Sequence, residues 1–273
     1  MQAASRESYK VAAERLDAYA RGAEPSAVAS TADDILSVAT LLRREPRLRR
    51  ALSDPARSAE DRAGLLTGIL GGKVGADALD LLTGLVSGRW SAPSELLDGT
   101  ERLGVEALLA SADSAGDLGE VEDELFRFGQ VVSGQSALSN ALSDPIAPAE
   151  QRATLARDLL AGQARPVTVR LVEAALGGFG GRSFTGALTR LVELAADRQD
   201  RQVAYVTVAA PLSDEEERRL GARLSEMYGR EVSVKQTVDP EVLGGVSVRV
   251  GSDLYDGTVL RRLNETRNAL AKR

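Results

Sequence analysis

A repeated stretch constrains the fold of this chain more than any other feature. Ala51–Arg62 reads ALSDPARSAEDR and Ala141–Arg152 reads ALSDPIAPAEQR, an offset of 90 residues. Between Ala51–Leu70 and Ala141–Leu160 eleven of twenty positions are identical: Ala51, Leu52, Ser53, Asp54, Pro55, Ala59, Glu60, Arg62, Ala63, Leu65 and Leu70. Beyond the identical stretch, Leu79, Leu82, Leu85 and Val86 are answered by Val169, Val172, Ala175 and Leu176. Both sets keep the three-and-four spacing of one helix face. In each copy Asp-Pro interrupts a helix running into Leu52 or Leu142, because proline lacks an N–H and disfavours helical geometry in the residue before it. A new helix is predicted from Ala59-Glu60 and Ala149-Glu150. Such a duplication builds tandem helical hairpins that stack or double a binding surface; it does not by itself imply chemistry.

Composition narrows the function classes. The chain has no Cys and no His, which removes disulfides, thiolate nucleophiles, imidazole bases and nearly all zinc, copper and haem sites. A net charge of -6 argues against nucleic acid, whose binding is driven by clustered Lys and Arg. No run reaches the roughly 18 apolar residues of a membrane-spanning helix, and the N-terminus lacks the apolar core of a signal peptide, so a cytoplasmic protein is expected. All four Phe (Phe126, Phe128, Phe179, Phe184) lie in the second copy. The first must pack mostly on Leu, Val and Ala, which allows close helix approach and grooves that admit another helix.

Near Arg201 the period changes from helical to alternating. Gln202–Val208 reads as a strand. Ser213 with Glu216 makes a capping box for a helix carrying Leu220, Leu224, Met227 and Tyr228, which Gly229 closes. Strands follow at Glu231–Val238 and Val246–Val250, then a helix over Asp256–Ala271 with Leu260, Leu263 and Leu270 facing inward. The expected fold class is mainly α: two tandem helical-bundle domains (1–104 and 105–200) followed by a small β-α-β-β-α domain (201–273).

Three other motifs have structural explanations. Leu176–Arg182 is glycine-rich, and freed backbone N–H groups can cradle oxyanions. It follows a helix and lacks Gly-Lys-Ser/Thr, so a helix–helix loop is expected. Asp113–Glu124 carries oxygen ligands at three calcium-loop positions, but Ala115 stands at position 3 and Leu118 replaces the glycine required at position 6. Its acids Glu120, Glu122, Asp123 and Glu124 suit the first turn of a helix. Arg43–Arg50 is the strongest basic cluster, read as a solvated helix end with an acidic partner surface as the alternative.

The C-terminal stretch carries a resemblance. Asp239-Pro240, then Leu243-Gly244-Gly245-Val246, an alternating strand, and Asp256-Gly257-Thr258-Val259 leading into a helix resemble the signature of the delta subunit family of bacterial F-type ATP synthases. The oligomycin-sensitivity-conferring protein is its mitochondrial relative. Ala209–Glu216 resembles the family's strand exit into its capped helix. Residues 101–201, with the Leu142–Pro145 break and Gly181-Arg182, resemble its helical bundle. The resemblance covers roughly 101–273; residues 1–100 exceed the family's usual length, as in a form with a duplicated helical domain associated with actinobacterial enzymes.

The resemblance implies a non-catalytic stator subunit of the peripheral stalk, with no catalytic residue, metal or cofactor. Its partners would be the N-termini of alpha subunits and subunit b, without nucleic acid. It would sit on the cytoplasmic side of the bacterial cell membrane, touching the membrane only through the complex. Family position and helical spacing place the alpha groove at Val105, Leu108, Leu109, Val169, Val172 and Leu176. Asp239, Pro240, Gly244, Gly245, Asp256, Gly257 and Thr258 would be structural, with Asp256 capping the helix that starts near Thr258. The extra copy would grip a second alpha N-terminus, brace the stalk or lengthen the connection. A helical-repeat adaptor unrelated to ATP synthase is the competing class, and a carboxylate enzyme has little support.

Overall fold

A computed structural model of the chain describes residues 1–259 and residue 261. The helical part runs α1 (Ala3–Ala20), α2 (Pro25–Arg44), α3 (Pro46–Leu52), α4 (Ala59–Leu70), α5 (Ala76–Ser87), α6 (Pro93–Ser114), α7 (Leu118–Gly134), α8 (Ser136–Ser143), α9 (Ala149–Leu160), α10 (Pro166–Leu176) and α11 (Phe184–Arg198). A 3-10 turn, Phe179–Gly181, precedes α11. Shifted by 90, the first residues of α1, α3, α4 and α5 become those of α6, α8, α9 and α10. The sequence repeat is thus a repeat of helix order.

That correspondence gives α6 two places at once. Helices α1, α2, α3 and α5 pack on it from the first copy; α7, α10 and the 3-10 turn pack on it from the second. Ala107, Leu108, Leu109, Ala110, Ser111 and Ala112 are buried in one unbroken run, so this stretch of α6 is covered on every face. A helix covered on every face can carry no polar stripe except where its polar groups are partnered. The boundary expected at residues 104 and 105 falls inside this helix. The chain divides into two compact units, residues 1–191 and residues from 192 onward.

In the second unit β1 (Arg201–Val208), α12 (Asp214–Tyr228), β2 (Glu231–Val238), β3 (Val246–Val250) and β4 (Asp253–Asp256) form a four-stranded sheet, ordered β2-β1-β3-β4, with α12. β1 pairs parallel with β2 and antiparallel with β3. Ala204, Val206, Val208, Leu224, Val232, Val248 and Val250 make its core. The capping box at Ser213 and Glu216 is present, and Gly229 closes α12 at φ +64. The strand β4 was not expected from the sequence. Its four residues are too short and exposed to alternate, and Gly251 at φ +57 makes the two-residue return that pairs Val250 with Asp253. The expected final helix carries Leu260, Leu263 and Leu270, which lie outside the described residues. No helix of the described residues is long and apolar enough to cross a membrane.

Candidate functional site

The repeated arginine explains why the two copies share a motif. Arg62 on α4 is 5% exposed and uses all five of its donors on backbone carbonyls. Its Nε donates to Val86 O (2.9 Å), Nη1 to Asp54 O (3.1 Å) and Arg57 O (3.0 Å), and Nη2 to Ser87 O (2.9 Å) and Gly88 O (3.0 Å). The Asp-Pro break and the end of α5 leave carbonyls without helical partners, and a guanidinium fork fits such a cluster while complementing the helix C-terminus. In the second copy Arg152 Nη1 donates to Leu142 O (3.3 Å) and Leu176 O (3.2 Å). Leu176 stands 90 residues after Val86, so the acceptor recurs, reached by Nη1 in place of Nε. Arg152 Nε is buried without a partner. The residues stood among the sequence identities, but nothing local marked them as clamps.

A second site lies where the copies meet. Gly104 lets α2 press against α6: a Cβ there would meet Leu36 Cγ at 2.7 Å. Arg43, from the basic cluster, donates to Gly177 O and to Glu101 Oε1 (2.5 Å). Glu101, 4% exposed, accepts from Gly180 N at 3.0 Å. The glycine-rich stretch is the expected helix–helix connection, and the oxyanion at its backbone is the chain's own carboxylate. Arg170 of α10 pairs with Asp33 of α2 at 3.2 Å, and burial pushes the Asp33 carboxyl up against the opposing pull of Arg170. Between α2, α6 and α10 a cavity of about 270 Å³ remains.

This arrangement covers the residues expected to line a groove. Val105, Leu108, Leu109, Val172 and Leu176 are core side chains, from 0% to 8% exposed, and Val169 is half-buried. Three-and-four spacing identifies the face a helix buries; here that face meets the chain's own helices, with α2 running along α6 and reaching α10 through Arg43 and Asp33. The acids of Asp113–Glu124 also turn inward in part. Asp117 pairs with Arg165 at 3.1 Å, Glu120 pairs with the same guanidinium, and Glu124 accepts from Arg165 N at 2.9 Å.

The C-terminal signature residues interlock two loops. Asp239 Oδ1 accepts from Glu241 N (2.9 Å) and Asp239 N donates to Val208 O (2.8 Å), while Pro240 is exposed in the turn. Gly244 and Gly245 have φ +133 and +84. A Cβ at Gly245 would meet Gly257 O and lie 2.9 Å from Thr258 Cα. Gly257 N donates to Val246 O (2.9 Å) and Val259 N to Gly244 O (3.0 Å). Asp256 Oδ1 accepts from Thr258 N (2.9 Å), which holds its carboxyl below the ordinary carboxylate range. The helix cap is Thr258, whose Oγ1 accepts from Arg261 N (3.3 Å), and not Asp256 as expected. Beside this knot Leu243 and Val259 are 69% and 40% exposed.

The family model "ATP synthase delta (OSCP) subunit" matches residues 105–270. A Salinispora arenicola protein described as ATP synthase subunit delta is 86% identical over all of both chains. A Streptomyces griseus protein of the same description is 46% identical over 99% of this chain and all of its own. These similarities extend through the first helical copy.

Proposed function

The chain belongs to the ATP synthase delta (OSCP) subunit family, and from that premise we propose that it is a non-catalytic stator subunit of the proton-translocating enzyme. It would hold alpha subunits of the catalytic head to subunit b of the peripheral stalk, peripheral to the cytoplasmic side of the membrane, so that the head does not turn with the rotor. The observation that carries the reading is the interlocked signature at Asp239–Thr258 inside the family match. It makes a rigid module beside exposed Leu243 and Val259, a surface suited to a lasting contact with a stalk helix.

For the alpha helix, the burial of those residues supports a different receiving surface from the one spacing suggested. The α6/α10 pair is flanked by α2. Its counterpart 90 residues earlier, α1/α5, leaves Val11 50% exposed, with Arg15 bridged to Asp80 at 2.8 Å across the seam. We assign the grip to α1/α5 of the first copy and a bracing role to the second.

Calorimetric titration of the full chain tests both ends, with the alpha N-terminal helix and with the C-terminal segment of subunit b as ligands. One alpha site, weakened at least about 10-fold by Val11→Glu, and a b site weakened by Leu243→Glu are expected. Two alpha sites would return a grip to the second copy. Failure of the full chain to bind either ligand would overturn the stator reading.

A further inference from the structure

The first copy contains a pocket of about 530 Å³ at the Asp-Pro break, between the start of α1, the start of α4 and the end of α5. Its wall carries Arg57, Arg62, Arg89 and Trp90, and no carboxylate lines it. At the floor Arg62 is 5% exposed, and all five of its recorded bonds go to neutral carbonyls. Its hydrogen bonds are complete but its charge is not balanced by an ion pair, which is unusual for a buried guanidinium in low dielectric. At the rim Arg89 is exposed and its guanidinium has no recorded hydrogen bond or ion pair among the described residues. Arg57 meets Asp54 only at 3.9 Å, with both side chains more than 40% exposed.

The second copy separates what the fold requires from what this pocket adds. Arg62 recurs as Arg152, because the clamp belongs to the fold. Arg57, Arg89 and Trp90 are replaced 90 residues later by Ala147, Phe179 and Gly180. The positive rim and the indole wall are confined to the first copy, and the clamp survives without them.

We propose that this pocket binds an oxyanion, gripped by the Arg57 and Arg89 guanidinium forks over the fixed charge of Arg62. Guanidinium pairs bidentately with carboxylate or phosphate, and a charge-assisted pair beside a low-dielectric wall outweighs one in open water. The volume exceeds what a lone phosphate needs. It accommodates a carboxylate carried on an acidic peptide segment whose apolar atoms lie against Trp90, Pro55 and Ala59.

Trp90 is the only tryptophan of the chain, so its fluorescence reports on the pocket in the intact protein. The full chain is titrated separately with hexaglutamate peptide and with inorganic phosphate. A saturable change in emission is expected, at least about 10-fold weaker for R57Q/R89Q and unaltered for R218Q/R223Q, which removes the same charge on α12. Saturation by the peptide at lower concentration than phosphate identifies a peptide-borne carboxylate; the reverse order keeps the oxyanion site and makes its ligand a small anion. No saturation with either probe overturns the proposal. So does equal binding by R57Q/R89Q with an unchanged circular dichroism spectrum.

Discussion

Arg62 and Arg152 share a position in the repeat, yet they are not equally committed. Replacing Arg62 with Met strands five buried or half-buried carbonyls and is expected to cost about 3–5 kcal/mol in urea denaturation. Arg152→Met removes two longer bonds and relieves a buried Nε that lacks a partner, so its cost should be the smaller. Single carboxylates set part of the response to acid. The Asp256 carboxyl is held low by the Thr258 N–H, and Glu95 is held low first by the Ser5 hydroxyl, 2.5 Å away. A depressed folded pKa stabilises fully above the unfolded value, and that contribution is lost as pH falls through the folded value. Asp256→Asn keeps an acceptor for Thr258 but cannot titrate. The gap in melting temperature between wild type and variant should therefore shrink as pH falls below about 5 and on through the folded value.

Among the elements, α6 and the loop pair of the signature are least like their sequence descriptions. The helical spacing around Val105, Leu108 and Leu109 correctly marked a face that must leave water. It could not say whether a partner or α2 and α10 would cover that face, because both satisfy the same hydrophobic requirement. The glycines were legible in kind, since Gly244-Gly245 promised a backbone or approach forbidden to other residues. Their target, Gly257 and Thr258, is twelve or more residues away and appears only when β3 and β4 fold back. Gly245→Ala should cost about 2–4 kcal/mol, combining left-handed strain with overlap. Hydrogen exchange at Val246–Asp256 should accelerate more than at β1 and β2, where the parallel pairing does not depend on the knot. β4 was missed because four residues, three of them exposed, carry no alternation to read.

For the whole molecule, the shared helix makes the two copies unequal in what they can do alone. A fragment ending at residue 92 keeps five helices of the first copy but lacks α6, the surface on which α1, α2, α3 and α5 converge. It should show no cooperative thermal transition by circular dichroism, whereas a fragment ending at residue 115 should melt cooperatively. The sequence by itself determined the helical class, the repeat, the Asp-Pro breaks, the change of period near Arg201 and the family signature. All of these depend on neighbours along the chain or on composition. Tertiary structure alone decided that α6 serves both copies, that α2 flanks the groove expected for a partner, and that three arginines surround one pocket. Those outcomes depend on which of several equally apolar faces meet, and on where distant carbonyls and charges come to rest once they have met.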